Sequence, residues 1–108
     1  MAIVYKDIAV QGTASVGTYA TLYSASATSI IGTLGICNTA STDATYRVGV
    51  MGSAGTPSGA EWRLYDAAAP ANDTVALTIG MVVESGDFVR VSSSASTVVF
   101  FGSVSEIS

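Results

Sequence analysis

The side chains that could do acid–base or nucleophilic chemistry are few and scattered. Serine is abundant, but the chain has no histidine, so a Ser-His-Asp arrangement cannot form. The one alternative base for a serine nucleophile, Lys6, lies in a stretch that reads as a terminal strand. We therefore expect a protein that is not an enzyme and has no catalytic residues.

Metal and cofactor sites are not expected either. Four carboxylates near predicted turns could converge on calcium, but they lack the dense alternating spacing of a calcium loop. These are Asp66, Asp73, Glu84 and Asp87, and we interpret them as solvated turn residues. The single cysteine, Cys37, has no cysteine or histidine partner for zinc, and we predict that it is a small buried hydrophobe.

The charge pattern limits the classes of binding partner that we expect. The net charge is −4, and the four cations Lys6, Arg47, Arg63 and Arg90 are scattered, whereas a nucleic-acid groove needs clustered ones. Apolar residues come in runs far shorter than the roughly 18 residues that span a bilayer. We expect neither nucleic acid nor a membrane as partner. Only 11% of residues are charged, which is little for a freely exposed surface and suggests that part of it is covered.

Two aromatic residues raise a separate possibility. If "AEWRLY" is a strand, Trp62 and Tyr65 point to opposite faces, so one of them is exposed. An exposed tryptophan or tyrosine can stack on a sugar ring, whereas the same residues at alternating strand positions are more often part of a core. Trp62 and Tyr65 are thus candidate glycan contacts.

Period-two alternation predicts eight short strands and almost no helix. In "VALTIGMVV" Val75, Leu77 and Met81 share one side, and in "ATYRVGVM" Tyr46 and Val48 do. The predicted strands cover about residues 3–10, 18–23, 29–38, 44–51, 60–65, 75–83, 87–92 and 97–104. Turn-forming runs separate them, and "ESGD" reads as a tight hairpin.

Such spacing in 108 residues predicts one domain, residues 1–108, with an all-β fold. We expect an antiparallel β-sandwich of jelly-roll or immunoglobulin-like type. Residues 1–12 have apolar residues on both faces, including Tyr5 and Ile8, and are predicted to form an N-terminal arm or an edge strand.

The last two predicted strands have apolar residues on both faces. If Val89, Val91, Val99 and Phe101 face the core, then Phe88, Val98 and Phe100 form a second apolar face. Either another subunit covers that face, as expected of an exposed apolar patch, or the chain itself covers both sides of a central hairpin. On the first interpretation Phe88, Val98 and Phe100, with Tyr5 and Ile8, are interface residues.

Two long stretches carry a family resemblance, "TLYSASATSIIGTLGICNTASTDATYRVGV" and "LYDAAAPANDTVALTIGMVVESGDFVRVSSSASTVVFFGSVSEI", which together cover about residues 21 to 107. They resemble small structural proteins of tailed-bacteriophage virions. The resemblance implies a β-sandwich building block of a capsid, tail or host-binding appendage, located in the virion, and carries no catalytic residues.

From this resemblance and the low charge we expect a capsid decoration or cement protein that stabilises the shell by protein–protein contacts. Its partners would be the major capsid protein or another virion protein, and further copies of itself in a homo-oligomer, preferably a trimer. The alternative is a tail or baseplate component that binds glycans on the host surface.

Overall fold

The computed structural model describes residues 2–107, which form eight β-strands and a single turn of 3-10 helix, Gly59–Glu61. Strand bounds are β1 Ile3–Gln11, β2 Ala20–Ser24, β3 Thr28–Asn38, β4 Ala44–Met51, β5 Trp62–Ala69, β6 Asp73–Val83, β7 Phe88–Ser93 and β8 Val98–Ile107. The eight predicted strands are confirmed, with ends displaced by a few residues. Within the described residues no helix is long and apolar enough to cross a bilayer.

The strands form two four-stranded antiparallel sheets packed face to face. Sheet A has the order β1-β8-β3-β6, and sheet B has the order β2-β7-β4-β5. Successive strands alternate between the sheets except for β4 and β5, which pair directly. Eight strands in two sheets with this order make a jelly roll, so the predicted β-sandwich is confirmed.

Two of the predicted hairpins are wrong. The "ESGD" turn is tight, with the amide of Asp87 donating to the carbonyl of Glu84 at 3.0 Å, but it joins β6 of sheet A to β7 of sheet B. The serine-rich segment likewise leads from β7 in sheet B to β8 in sheet A. Turn residues reveal where the chain bends, whereas strand pairing depends on contacts distant in sequence that local patterns do not contain.

The core lies between the sheets and is aliphatic, with two aromatic rings in contact across it. Tyr46 of β4 and Phe100 of β8 meet edge to face, with ring centroids 6.0 Å apart. Around them lie the other fully buried apolar side chains, Ile31, Leu34, Ile36, Val48, Val83, Val89, Val91, Val98 and Val104. The predicted inward direction of Tyr46, Val48 and Val50 on β4 is confirmed.

The two faces of β8 are the reverse of the prediction. Val98 and Phe100 have no exposed surface and face the core, so neither can be an interface residue of the folded chain. Val99 and Phe101 point outward and are half-buried. In "VVFF" the two alternating sets of residues, one for each face of the strand, are equally apolar. Only the pairing of Phe100 with Ile36 and Val10, which also face inward, determines which set faces the core.

Phe88 lies at the outer face of sheet B, far from the outward side chains of β8 in sheet A. The predicted interface set is therefore not one surface. The part of the prediction that fits the structure is that Val89 and Val91 of β7 are buried.

Strand β1 is the edge of sheet A and pairs with β8 along its whole length. Ile8 and Val10 are partly buried and pack against the core, so Ile8 faces inward from this edge strand. In the first half of β1, Ile3, Val4 and Tyr5 are exposed, Tyr5 by 77%. Of the two predictions for residues 1–12, arm or edge strand, the described residues follow the second, with an exposed apolar end.

Cys37 is half-buried, which corrects the prediction of a buried thiol. Its neighbours in β3, Ile36 and Asn38, both face inward, so Cys37 faces outward from sheet A. There it pairs with Val99 of β8 and Thr74 of β6.

The reversed faces of β8 generate a direct test. Phe100→Ala should lower the free energy of unfolding by about 3–5 kcal/mol, because it removes a fully buried ring and leaves a cavity. Phe101→Ala, the matched change at the adjacent outward position, should cost clearly less. Urea unfolding of both variants measures the difference, and equal costs would contradict the assignment of the two faces.

Candidate functional site

A cluster of aromatic rings and one arginine occupies the outer face of sheet B, and an irregularity in β5 creates it. The β4–β5 register shifts on both sides of Val48, which leaves extra residues in β5 opposite Arg47. One of them, Asp66, has a left-handed backbone with φ of 48°. As a result Trp62 and Tyr65 point to the same side, and the prediction that they point to opposite faces is wrong.

The rings of the cluster touch one another and the arginine. Trp62 and Tyr65 meet edge to face at 4.9 Å between centroids, and Tyr19 lies 5.9 Å from Trp62 on its other side. The guanidinium carbon of Arg47 is 4.1 Å from the centroid of Tyr65 and 5.8 Å from that of Trp62. Tyr65 is 56% exposed although Arg47 covers one of its faces, so its other face is open to solvent. We call Tyr19, Arg47, Trp62, Tyr65 and Asp66 the aromatic–arginine cluster.

The guanidinium in this cluster is held by two parallel hydrogen bonds. Nε of Arg47 donates to Oδ1 of Asp66 at 2.7 Å and Nη2 donates to Oδ2 at 3.2 Å. Hydrogen bonding to Arg47 keeps the pKa of Asp66 below its ordinary value, and the same bonds raise the pKa of Arg47. Asp66 is therefore not the solvated turn residue that the sequence suggested. The fork also fixes Arg47 over Tyr65.

A second arginine fixes the surroundings of the cluster. Arg90 donates to the carbonyl of Tyr19 at 3.3 Å, to the hydroxyl of Thr21 at 2.6 Å and to the carbonyl of Gly55 at 2.9 Å. These bonds tie the segment that precedes β2 to the loop between β4 and β5. The cluster thus lies on a fixed sheet surface.

Ser92 is the cross-strand neighbour of Arg47 and lies on the same outer face. It is fully buried, and its hydroxyl is the one buried side-chain oxygen in residues 2–107 with no hydrogen-bond partner in the chain. Buried hydroxyls nearly always have a partner, so hydrogen-bonding capacity is left unused beside the arginine.

The outer face of sheet A is of a different kind, because it is almost without charge. Among its outward residues only Asp7 is charged. The ring of Phe101 covers Gly35, where any side chain would overlap it, so this close approach requires a glycine. Around them lie Ile3, Tyr5, Ala9, Ile30, Thr33, Cys37, Thr74, Ala76, Thr78, Val82, Val99, Ser103, Ser105 and Ile107. We call this surface the uncharged face.

A third group of polar residues lies inside one end of the sandwich. Glu106 of β8 is only 8% exposed and accepts hydrogen bonds from the hydroxyl of Tyr23 and, at 3.0 Å, from the ammonium of Lys6. The Tyr23 hydroxyl also lies 2.8 Å from that of Ser29. The bonds from Tyr23 and Lys6 lower the pKa of Glu106, and burial raises that of Tyr23. This network holds edge strand β1 to both sheets.

Residues 2–107 contain no group of three or more cysteine or acidic residues that could hold a metal ion, and no cavity. The side chains that could take part in binding or a reaction therefore lie on the surface or in the hydrogen-bond network of Glu106. No protein-family model matches the chain, and comparisons with curated proteins and with solved structures find no significant match.

Sequence reasoning identified Trp62 and Tyr65 but missed their partners. The alternation of "ATYRVGVM" did place Arg47 on an outward face, but nothing in it indicates Asp66 as its partner. The available signal was weak: an Arg and an Asp of opposite charge on strands joined by a loop rich in glycine and serine.

The Glu106 network predicts a dependence of stability on pH. The unfolded chain binds a proton at Glu106 near the ordinary pKa of 4.5, whereas the folded chain binds it at lower pH. Stability should therefore fall as the pH drops from 4.5 through the folded pKa. Glu106→Gln should flatten this acid limb and leave a residual slope from Asp66.

Urea unfolding at several pH values measures the slope. Glu84→Gln, a change at an exposed glutamate in the β6–β7 turn, is the control and should keep the wild-type slope. An unaltered slope in Glu106→Gln would contradict the role of the network.

Proposed function

We propose that this protein is a non-enzymatic structural component of a bacteriophage virion, a capsid decoration protein that works as a homotrimer. The observation that carries the proposal is the uncharged face, which covers one whole side of the sandwich with a single carboxylate, Asp7. The jelly roll is compatible with it, because viral capsid domains use this architecture, although fold alone decides no function.

Charge favours a second copy of the chain as the occupant of this face. The protein carries a net charge of −4, so most approaches of one copy to another bring like charges together. On the uncharged face only Asp7, near one edge, opposes such an approach. Two copies can therefore meet there with little electrostatic cost.

The size of the face is adequate for a specific contact. Four strands spaced about 4.8 Å apart and about nine residues long give a plane of roughly 600 Å², before the relief of the side chains is counted. A standard interface buries about 800 Å² per partner. Contact over most of the face reaches this range.

A ring of three copies needs two different patches that fit each other, because its contacts are head to tail. The chain offers the part of the uncharged face that lies on β8, β3 and β6, and, at the β1 edge, an exposed apolar end with Ile3, Val4 and Tyr5. When the β1 end of one copy packs on the uncharged face of the next, each apolar surface covers the other. In the proposed trimer this contact closes after three copies, and the trimer would lie on a symmetry axis of the particle.

The virion assignment is supported by the resemblance of residues 21 to 107 to small phage structural proteins. The partner of the trimer on the particle is then the major capsid protein or another virion protein. A tail or baseplate position, with binding to a host glycan, is the second candidate, and the exposed aromatic–arginine cluster favours it. The two candidates differ in copy number.

Matched variants test the occupant of the uncharged face. Ala76 and Ala68 are both exposed alanines on edge strands, Ala76 on the uncharged face and Ala68 on sheet B. Ala76→Glu places a buried charge in every contact and should turn a trimer into a monomer. Ala68→Glu should leave the trimer intact. Light scattering during gel filtration gives the masses, which are multiples of 10.9 kDa.

A wild type that is monomeric at tens of micromolar would contradict self-association through this face. A wild-type dimer would contradict the head-to-tail ring. Dissociation by Ala68→Glu in place of Ala76→Glu would put the contact on sheet B.

Antibody labelling of purified particles tests the virion role. An antibody raised against the recombinant protein should decorate the whole shell, and a stained gel should show hundreds of copies per particle. Label confined to the tail with few copies would favour the second candidate, and particles without the chain would refute both.

A further inference from the structure

We propose that the aromatic–arginine cluster is a binding site for a pyranose sugar, on the side of the molecule opposite the uncharged face. The site would take the ring of a hexose that has two neighbouring equatorial hydroxyls. This inference uses only sheet B and does not depend on trimer formation or on a position in the capsid.

The open face of Tyr65 provides the stacking surface. A pyranose ring presents C–H groups on one face, and these pack against the negative face of an aromatic ring. Arg47 covers one side of Tyr65 and Trp62 lies at its edge, so the ring is held in one orientation. A held ring loses little conformational entropy when a ligand binds.

The ion pair provides polar partners beside the stacking surface. Each oxygen of the Asp66 carboxylate accepts one bond from Arg47 and keeps a free lone pair. The side chain of Asp66 is 46% exposed, so a sugar hydroxyl can donate to it, whereas the guanidinium of Arg47 lies against the covered face of Tyr65. The two carboxylate oxygens, each with a free lone pair, can accept from two neighbouring hydroxyls of one sugar.

The unpartnered hydroxyl of Ser92 is a second, independent sign of a ligand. It lies beneath the cluster, next to Arg47, and is fully buried with no partner in the chain. No other buried side-chain oxygen or nitrogen in residues 2–107 is left without a partner.

The absence of a cavity among the described residues fits this ligand class. Glycans are recognised on open platforms as well as in pockets, and a shallow contact gives weak affinity, with a Kd of about 1 mM for one sugar unit. Several copies on one particle would raise the effective affinity for a repetitive surface polysaccharide.

Trp62 is the only tryptophan of the chain, so its intrinsic fluorescence reports directly on the site. The full-length protein is titrated with the β-methyl glycosides of glucose, galactose and N-acetylglucosamine, and with cellotriose and chitotriose. At least one of these probes should change the fluorescence saturably, with a Kd in the millimolar range. Tyr65→Ala and Asp66→Asn should each weaken that binding at least tenfold.

Two control variants separate recognition from folding. Tyr65→Phe keeps the ring and should bind within about threefold of wild type, because stacking does not need the hydroxyl. Tyr5→Ala removes an exposed tyrosine far from sheet B and should bind as wild type does, whatever its effect on trimer formation. Circular dichroism checks that each variant keeps its strand content.

No saturable change with any of the five probes at tens of millimolar would overturn the proposal. Binding that persists unchanged in folded Tyr65→Ala or Asp66→Asn would overturn it too, because the sugar would then lie elsewhere. Failure of these tests leaves the light-scattering results for Ala76→Glu untouched, so the two proposals fail separately.

Discussion

The edge-to-face contact of Phe100 with Tyr46 between the two sheets determines how the rest of the molecule is arranged. Because side chains alternate along a strand, an inward Phe100 requires an outward Phe101. Phe101 then lies on Gly35 at the outer side of sheet A. At the other end of β8 the same alternation turns Glu106 inward, where Tyr23 and Lys6 bind it and hold β1 at the edge. The core contact thus also fixes the shape of a surface.

The sequence was sufficient for the strands but not for their partners. Alternation in "VALTIGMVV" and "ATYRVGVM" is strong because one parity is apolar and the other is small or polar, and those strands were predicted with the correct inward residues. In "VVFF" both parities are apolar, so the faces of β8 could not be read locally. The two strands on either side of a turn were assumed to pair, whereas in a jelly roll most of them cross to the other sheet.

Only part of the candidate site could be predicted from the sequence, for a similar reason. Trp62 and Tyr65 stand out by residue type, but their common face depends on the extra residues that β5 places opposite Arg47. A left-handed backbone conformation at an aspartate inside a strand, as at Asp66, has no clear signature in the sequence, since aspartate is equally common in turns. The pairing of Arg47 with Asp66 exists only because of that irregularity. The cluster thus depends on local backbone geometry, which the period-two pattern of a strand does not reveal.

The two outer faces have opposite characters, since that of sheet A is almost without charge and that of sheet B has the aromatic–arginine cluster. Two of the three arginines on strands of sheet B organise its outer face: Arg47 contacts the rings and Arg90 binds the adjoining loop. The uncharged face has small side chains and apolar residues at its edges. The uncharged face thus accounts for part of the low overall charge of the chain.

Cys37 gives the most direct measurement of the central claim, that the uncharged face is covered by another copy. It is the only cysteine of the chain and lies half-buried on that face. In the native wild type a thiol reagent should label Cys37 slowly, and labelling should accelerate on dilution and in Ala76→Glu, where the face is free. Equal labelling rates in the wild type, in its diluted form and in Ala76→Glu would show that nothing covers this face and would contradict the account.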